Sequence, residues 1–485
     1  MNFRSVLKFL SVLTFAVSMS FLFPFIWAVI DGTPDASAFA RSMGCGIVLS
    51  ILIGMVCIPL KEESDGLGTR EAIVCVAFAW IAASFVGALP FIFSGILPNF
   101  VDAYFEAMSG FTTTGATVIN ELEPIPRGIL MWRAQTQWLG GMGIVVLLIA
   151  LIPVLGLNMT PLFKAESPGP KLEKTSPRIA DMATTLWKIY MGITLVGIVF
   201  LMLGGMTFYN AVAHAFAAVS TGGYSTHTSS VAFYDSAYIE YVLTILMFIS
   251  GVNFNLHFLA IRKRTLAPYK DSEFRFYLWI VLGATALIIF VLMRDGVFDS
   301  IITAFRYAIF QVVSVITTTG FVTADYAKWP IATQMTLLIL MLVGGCAGST
   351  SGAIKCVRFQ LVLKEAYAEL KRVIHPNAVI AIFQSGSPVT PSMIASSVCF
   401  ICIYLIIWAL SALAVSLCGY DIVTSISAVS ATLSNVGPGL ADVGPVCNFA
   451  DQCITAKIIY IFDMLCGRLE LYTILVLFTK DVWRK

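Results

Sequence analysis

Thr318-Thr319-Gly320-Phe321 decides how this chain is read, because the same short pattern returns three more times. It reads Thr113-Thr114-Gly115 earlier, then Ser220-Thr221-Gly222-Gly223, and in a divergent form Asn435-Val436-Gly437-Pro438. The aligned glycines Gly115, Gly222, Gly320 and Gly437 stand 107, 98 and 117 residues apart. A mostly apolar, helix-like run precedes each copy: Val101–Phe111, Tyr209–Val219, Ile301–Ile316 and Ile422–Leu433. All are shorter than the ~20 residues a spanning helix needs, so they suit re-entrant helices that end inside a membrane. A polar loop at that depth is tolerated only where it is buried in protein or lines water. Four such loops around one axis make a ring of backbone carbonyls, which is how a dehydrated monovalent cation is held.

Glycine has a definite task in such a strand. Successive carbonyls facing one axis require backbone angles that a Cβ obstructs. Flanking Thr and Ser add hydroxyl oxygens at small volume, and the C-terminal end of each half-helix aims partial negative charge at a cation. The competing reading is close helix packing through small residues, which are used that way in membranes. One copy alone favours packing. Four copies at near-equal spacing favour the ring.

Composition narrows the class. With 58% hydrophobic residues, 12% charged residues and a mean hydropathy of +0.87, the chain is a polytopic membrane protein rather than a soluble globule. A net charge of +2 without a long basic stretch excludes a nucleic-acid partner. Most of the eleven cysteines, such as Cys45, Cys57, Cys75, Cys399 and Cys402, sit in apolar runs and act as small hydrophobes. Cys447 and Cys453 share a polar loop, and whether they are bonded stays open. The four histidines, His214, His227, His257 and His375, are scattered, and there is no nucleophile–base or metal-ligand constellation. An enzyme is not expected.

The expected architecture is all-α. Two spans, Phe9–Ile30 and Ser42–Leu60, form an N-terminal extension (residues 1–70), with the first helix retained rather than cleaved. Four units of span, pore helix, loop and span follow, over residues 71–178, 179–271, 272–376 and 377–485. Their flanking spans are Ala72–Phe93 with Ile129–Val154, Thr185–Leu203 with Ile239–Ile261, Phe276–Leu292 with Ala332–Leu363, and Ile394–Leu417 with Thr455–Phe478. That makes ten spans. Basic residues gather between the units, among them Lys61, Arg70, Lys164, Lys171, Arg262, Lys263, Lys364, Arg372 and Lys480. The positive-inside bias therefore places both termini in the cytoplasm and opens the filters to the outside.

Two features lie below the filters. The second span of the third unit contains Gly344, Gly345, Cys346, Ala347, Gly348, Ser349, Thr350, Ser351 and Gly352, with Lys355 and Arg358 close behind. Glycines weaken a helix by ~1 kcal/mol each, so the span unwinds here and supplies a movable plug; the alternative is a packing face of small residues. Gly348-Ser349-Thr350-Ser351-Gly352 is no nucleophile elbow, since Thr350 occupies the nucleophile's position. Arg468, within the last span, is a pore barrier or else a structural partner of Asp463 or Glu470. Arg133, Arg306 and Glu106 are further intramembrane charges, without a role beyond pairing or packing.

Together these residues resemble the superfamily of bacterial Trk and Ktr and plant HKT potassium transporters. In that family four non-identical repeats imitate a tetrameric potassium channel, and one glycine is kept per filter, matched by Gly115, Gly222, Gly320 and Gly437. The loop Gly344–Gly352 resembles the family's intramembrane gating loop, and Arg468 matches its pore-facing arginine. The two extra N-terminal spans look more like the Trk branch than the Ktr branch. The resemblance implies K⁺ held by carbonyls of the filter residues, a homodimer in the bacterial inner membrane, and a TrkA-like cytosolic ring that carries the regulatory nucleotide; no organic cofactor is expected on this chain. Asn435-Val436 departs from the Ser/Thr pattern, so that quarter contributes backbone oxygens alone. A gated K⁺-selective pore is the first reading, and symport with H⁺ or Na⁺ the second. Carriers of that kind usually show intramembrane carboxylates and inverted repeats.

Overall fold

A computed structural model describes residues 3–57, 68–143, 179–378 and 380–483, and these are predominantly helical. Among them the only sheet is a two-strand hairpin that pairs Phe383–Gln384 with Ser387–Pro388. The N-terminal extension is Phe3–Ser20 and Leu22–Asp31, one apolar run of 29 residues, followed by Asp35–Cys57. Gly32, at φ 66°, reverses the chain between them. Phe21 closes this extension against the first repeat by an edge contact with Trp132, ring centres 4.7 Å apart.

Each repeat then gives an outer helix, a pore helix and an inner helix. The outer helices are Thr69–Phe93, Ile179–Leu203, Ser272–Arg294 and Pro391–Ser416. The pore helices are Phe100–Phe111, Phe208–Val219, Ile301–Ile316 and Ile422–Leu433, close to the ranges expected from sequence. A polar residue starts each pore helix by accepting from its first free amides: Asn99, Thr207, Ser300 and Asp421. Such a cap is worth ~1 kcal/mol, and here it fixes where the half-helix begins.

The inner helices are Arg127–Gly141, Ala237–Ser250, Ile331–Val343 and Ile454–Arg468. None is long enough to cross a bilayer alone. Several of the expected spans are therefore broken rather than continuous helices: among the described residues six helices are long and apolar enough to cross, or seven if a bent pair is one span. The expected continuous span Ile239–Ile261 is broken at Gly251-Val252-Asn253, and its second part, Phe254–Lys263, turns by 93°. The break is stable because the freed carbonyl of Gly251 accepts from Cys346 N at 2.9 Å, while Asn253 caps the new helix. The expected span Thr455–Phe478 likewise stops at Arg468, where Glu470 and Leu471 turn left-handed (φ 54° and 48°). In the first repeat the helix ends at Gly141; positions 144–154 of the expected span Ile129–Val154 lie outside the described residues, as do Lys61, Lys164 and Lys171.

Burial is arranged as a membrane requires. Leu195, Val199 and Leu203 of the second outer helix are more than half exposed, while Thr113, Thr221, Thr318 and Asn435 are fully buried. Apolar side chains face outward and polar groups converge on the centre, so the polar groups must find partners within the protein.

Candidate functional site

Backbone geometry sets the register of the four filter strands. Thr113, Thr221, Thr318 and Asn435 are left-handed, at φ 56°, 54°, 58° and 58°. Two residues further on, Gly115, Gly223, Gly320 and Gly437 have φ of 82°, 78°, 83° and 100°. The second-strand counterpart of Gly115 is thus Gly223, correcting the alignment on Gly222, which stands one place earlier beside Thr114, Thr319 and Val436. Ser220 falls at the end of its pore helix, as Thr112 does, and outside the strand. A shared hydrogen bond confirms this register. The amides of Thr114, Gly222, Thr319 and Val436 donate to Ser109, Ala217, Ser314 and Ala431 O at 2.9, 2.8, 2.8 and 2.8 Å.

The four strands close a ring. A Cβ placed on Gly115 would lie 2.2 Å from Gly222 O, and one on Gly223 would lie 1.9 Å from Thr319 O. One on Gly320 would lie 2.0 Å from Val436 O, and one on Gly437 2.7 Å from Thr114 O. Each glycine thus faces the carbonyl before the next repeat's glycine, in the order first, second, third, fourth and back to first. Four strands meeting cyclically at such distances surround one axis. Only glycine combines these angles with this approach.

Behind the ring, the residue nine places before each filter glycine supports the strand that follows. In the first repeat this is Glu106, whose carboxylate accepts from Val118 N at 3.0 Å and Arg133 Nε at 2.8 Å. In the second it is His214, bonded to Ser225 Oγ at 3.0 Å, and in the third Gln311, which donates to Thr323 Oγ1 at 3.2 Å. Ala428 in the fourth has no polar side-chain atom to offer. Arg133 also donates to Ser225 O at 3.3 Å and lies 4.0 Å from the Tyr224 ring centre, joining the first two strands. Gln137 holds the second strand by donating to Gly222 O at 2.6 Å and accepting from Tyr224 N at 3.0 Å. Between repeats, Arg306 pairs with Glu240 at 2.7 Å and Lys457 with Asp102 at 2.7 Å, so an inner helix grips the next pore helix. Arg133, Glu106 and Arg306 thereby gain roles as struts. Gln137, His214 and Gln311 escaped the sequence reading; for His214 and Gln311 the shared nine-residue offset was the signal, and the one-residue slip at Gly222 hid it in the second repeat.

Beyond the filter strands, Thr228 donates from its amide (3.0 Å) and hydroxyl to the Glu123 carboxylate. These bonds lower the Glu123 pKa and tie the loops of the first two repeats together.

The stretch Gly344–Lys355 separates the helices Ile331–Val343 and Cys356–Ile374 and lies against the lower end of the ring. Thr350 Oγ1 is 3.2 Å from Thr221 Oγ1 and 3.2 Å from Ser250 O, and Gly352 N donates to Thr318 Oγ1 at 2.7 Å. Ala347 N donates to Glu273 Oε1 at 2.6 Å, and Phe254 N to Gly348 O at 3.0 Å. Lys355 is buried, with its amine on Ser351 O. Gly344 and Gly348 are left-handed, at φ 75° and 72°, which accounts for two of the glycines. Gly345 admits no Cβ without overlap against Ser351.

Arg468 meets this stretch from the fourth repeat. It donates to Thr350 O (2.9 Å), Thr113 Oγ1 (3.2 Å), Gly140 O (2.5 Å) and Gly141 O (2.8 Å). The carboxylates expected as its partners are otherwise engaged: Glu470 pairs with Arg358 at 2.6 Å, and Asp463 accepts from Ser411 at 2.7 Å. Asn435 departs from a backbone-only role, because its Nδ2 donates to Thr114 Oγ1 and to Met464 O, both at 2.9 Å. Cys447 and Cys453 are both free thiols. Among the described residues no cluster of three His, Cys, Asp or Glu could hold a metal ion.

Comparison with known proteins agrees with this fold. The family model "TrkH: Cation transport protein" matches residues 41–484. The chain is 40% identical over 490 residues to the Trk system potassium uptake protein TrkH of Salmonella typhimurium, and 39% identical to that of Escherichia coli K12. Both matches cover 100% of each chain. The crystal structure of the potassium transporter TrkH from Vibrio parahaemolyticus superposes with a TM-score of 0.89 at 35% identity, again covering 100% of both chains.

Proposed function

The chain belongs to the TrkH family of cation transport proteins, a family of multi-pass membrane proteins, and from that premise we propose that it is the ion-conducting subunit of a Trk-type potassium uptake system. One observation carries the reading: four filter glycines packed cyclically, each against the carbonyl of the next strand. Backbone oxygens of the strands at Thr113–Gly115, Thr221–Gly223, Thr318–Gly320 and Asn435–Gly437 replace the water shell of K⁺. The ion enters from the filter side and leaves past Gly344–Lys355 into the cytoplasm, with both termini on the cytoplasmic face of the inner membrane. At an inside-negative potential, ~2.3 kcal/mol per 100 mV drives a monovalent cation inward, so no coupling ion is required.

In this reading Gly344–Lys355 is the gate, held shut by Thr221, Thr318, Glu273 and Arg468. A cytosolic TrkA-like ring that binds nucleotide withdraws it, and two copies of the chain form a dimer with one pore each. A ligand of the ring opens the gate only by favouring the withdrawn arrangement. Two of the carboxyls argue against a symporter: Glu106 and Glu470 are spent on Arg133 and Arg358. The test is K⁺, Rb⁺ and Na⁺ flux in liposomes of purified protein together with single-channel recording. Discrete K⁺ and Rb⁺ openings with little Na⁺ current are expected; uptake without openings that requires a proton or Na⁺ gradient would replace the pore by a symporter.

A further inference from the structure

The bent inner helix of the second repeat leaves an apolar wedge on the outside of the molecule. Its walls are the outer helix Ile179–Leu203, the upper half Ala237–Ser250 and the lower half Phe254–Lys263, which turns 93° away. The cavity measures about 650 Å³, within the ~300–1,000 Å³ range of ligand sites. Its surface is apolar except at one end, where Lys188 and Arg262 both line it. Both side chains are exposed, and neither is ion-paired among the described residues. Lys188 stands fifteen residues before Leu203, the filter-side end of its helix, which is about 22 Å at 1.5 Å per residue. That depth lets its long side chain reach the headgroup layer opposite the filter.

The walls are fixed by the chain itself. His257 bridges the two halves of the bent helix, bonding Ile249 O at 3.0 Å and Tyr269 Oη at 2.7 Å. Gly192 opens on the wedge and has no atom within 4 Å of where a Cβ would stand. A preformed apolar slot ending in two cations that have no ion-pair partner among the described residues, at the boundary of a bilayer, matches a molecule with a long apolar chain and an anionic head.

We propose that this wedge binds one anionic phospholipid of the leaflet on the side away from the filter. Its phosphate is held by Lys188 and Arg262, and one acyl chain lies along Ile189, Ile193, Ile245 and Phe258. The lipid thereby sits against the hinge whose carbonyls, at Ser250 and Gly251, hold Thr350 and Cys346 of the filter-facing loop.

Native mass spectrometry of the full chain, titrated with phosphatidylglycerol or phosphatidylcholine, tests this independently of ion conduction. The wild type should retain one phosphatidylglycerol in preference to phosphatidylcholine. The double variant Lys188→Gln/Arg262→Gln should lose that preference, weakening phosphatidylglycerol binding on the order of tenfold. Gly192→Phe, which fills the slot and keeps both charges, should displace the lipid while the protein elutes normally from a sizing column. Equal retention of the two lipids by the wild type, or unchanged binding in both variants, would overturn the site. So would a Gly192→Phe protein that loses its dimer without losing lipid, since a second copy would then be the occupant.

Discussion

The filter strands and the stretch Gly344–Lys355 touch each other yet are held in opposite ways. Each strand is anchored on its own pore helix: the bond to Ser109, Ala217, Ser314 or Ala431 ties it there, and Ser109 Oγ and Ser314 Oγ donate to Ala116 O and Phe321 O at 2.6 and 2.7 Å, while Gln137 and Arg133 of the first repeat add support to the second strand. The loop, in contrast, is held mainly by groups outside its segment: Val219, Thr221, Ser250 and Gly251 of the second repeat, Glu273 and Thr318 of the third, and Arg468 of the fourth. A part whose bonds are local keeps its shape when its surroundings shift. A part held by distant groups moves when any of them moves. That difference suits one to select ions and the other to admit them.

The largest effect should come from breaking the ring at its corrected position. Gly223→Ser puts a Cβ 1.9 Å from the Thr319 carbonyl and adds ~1–2 kcal/mol for a left-handed residue with a side chain. K⁺ flux in liposomes should fall on the order of a hundredfold or lose its preference over Na⁺. Gly222→Ser meets the side chain of Gln137 instead and should be the milder of the two. The reverse order would restore the register read from sequence.

Next comes the strut behind the ring. Arg133→Met leaves Glu106 charged and buried, which should cost about 3–5 kcal/mol in unfolding from detergent, whereas Arg133→Met/Glu106→Met should recover most of it. If the double variant is no more stable than the single one, Arg133 acts through Tyr224 and Ser225 rather than through Glu106.

Arg468→Ala should have a smaller effect, a several-fold rise in Rb⁺ uptake. It removes a positive charge beside the pore and a charge-assisted bond of ~1.5–3 kcal/mol to the loop at Thr350 O. A loss of folded protein without added uptake would make Arg468 a packing residue that holds Gly140 and Gly141.

Much of this was legible. Half-length apolar runs before the four glycine patterns located all four pore helices, because the shortage of residues is a length argument that packing cannot overturn. The loop showed itself through glycine density. The other inner-helix breaks stayed hidden because their causes are tertiary: Gly251 ends its helix where Cys346 takes its carbonyl, and Leu471 gives no propensity signal at all. The slip at Gly222-Gly223 arose because two adjacent glycines fit the pattern equally, and the sign of φ and the shared amide bond separate them only in the folded chain. Gln137 follows Gln135 and Thr136 directly, and nothing in the sequence tells which of the three faces a filter strand.

The separation of filter from loop is tested most directly by shortening Gly345–Gly352 and reading two quantities from the same liposomes. These are basal Rb⁺ uptake without any cytosolic partner and the K⁺-to-Na⁺ flux ratio. Uptake should rise while the ratio stays at the wild-type value, because the strands keep their own bonds. Unchanged uptake, or a ratio that collapses as uptake rises, would show that loop and filter are one structure and contradict the account.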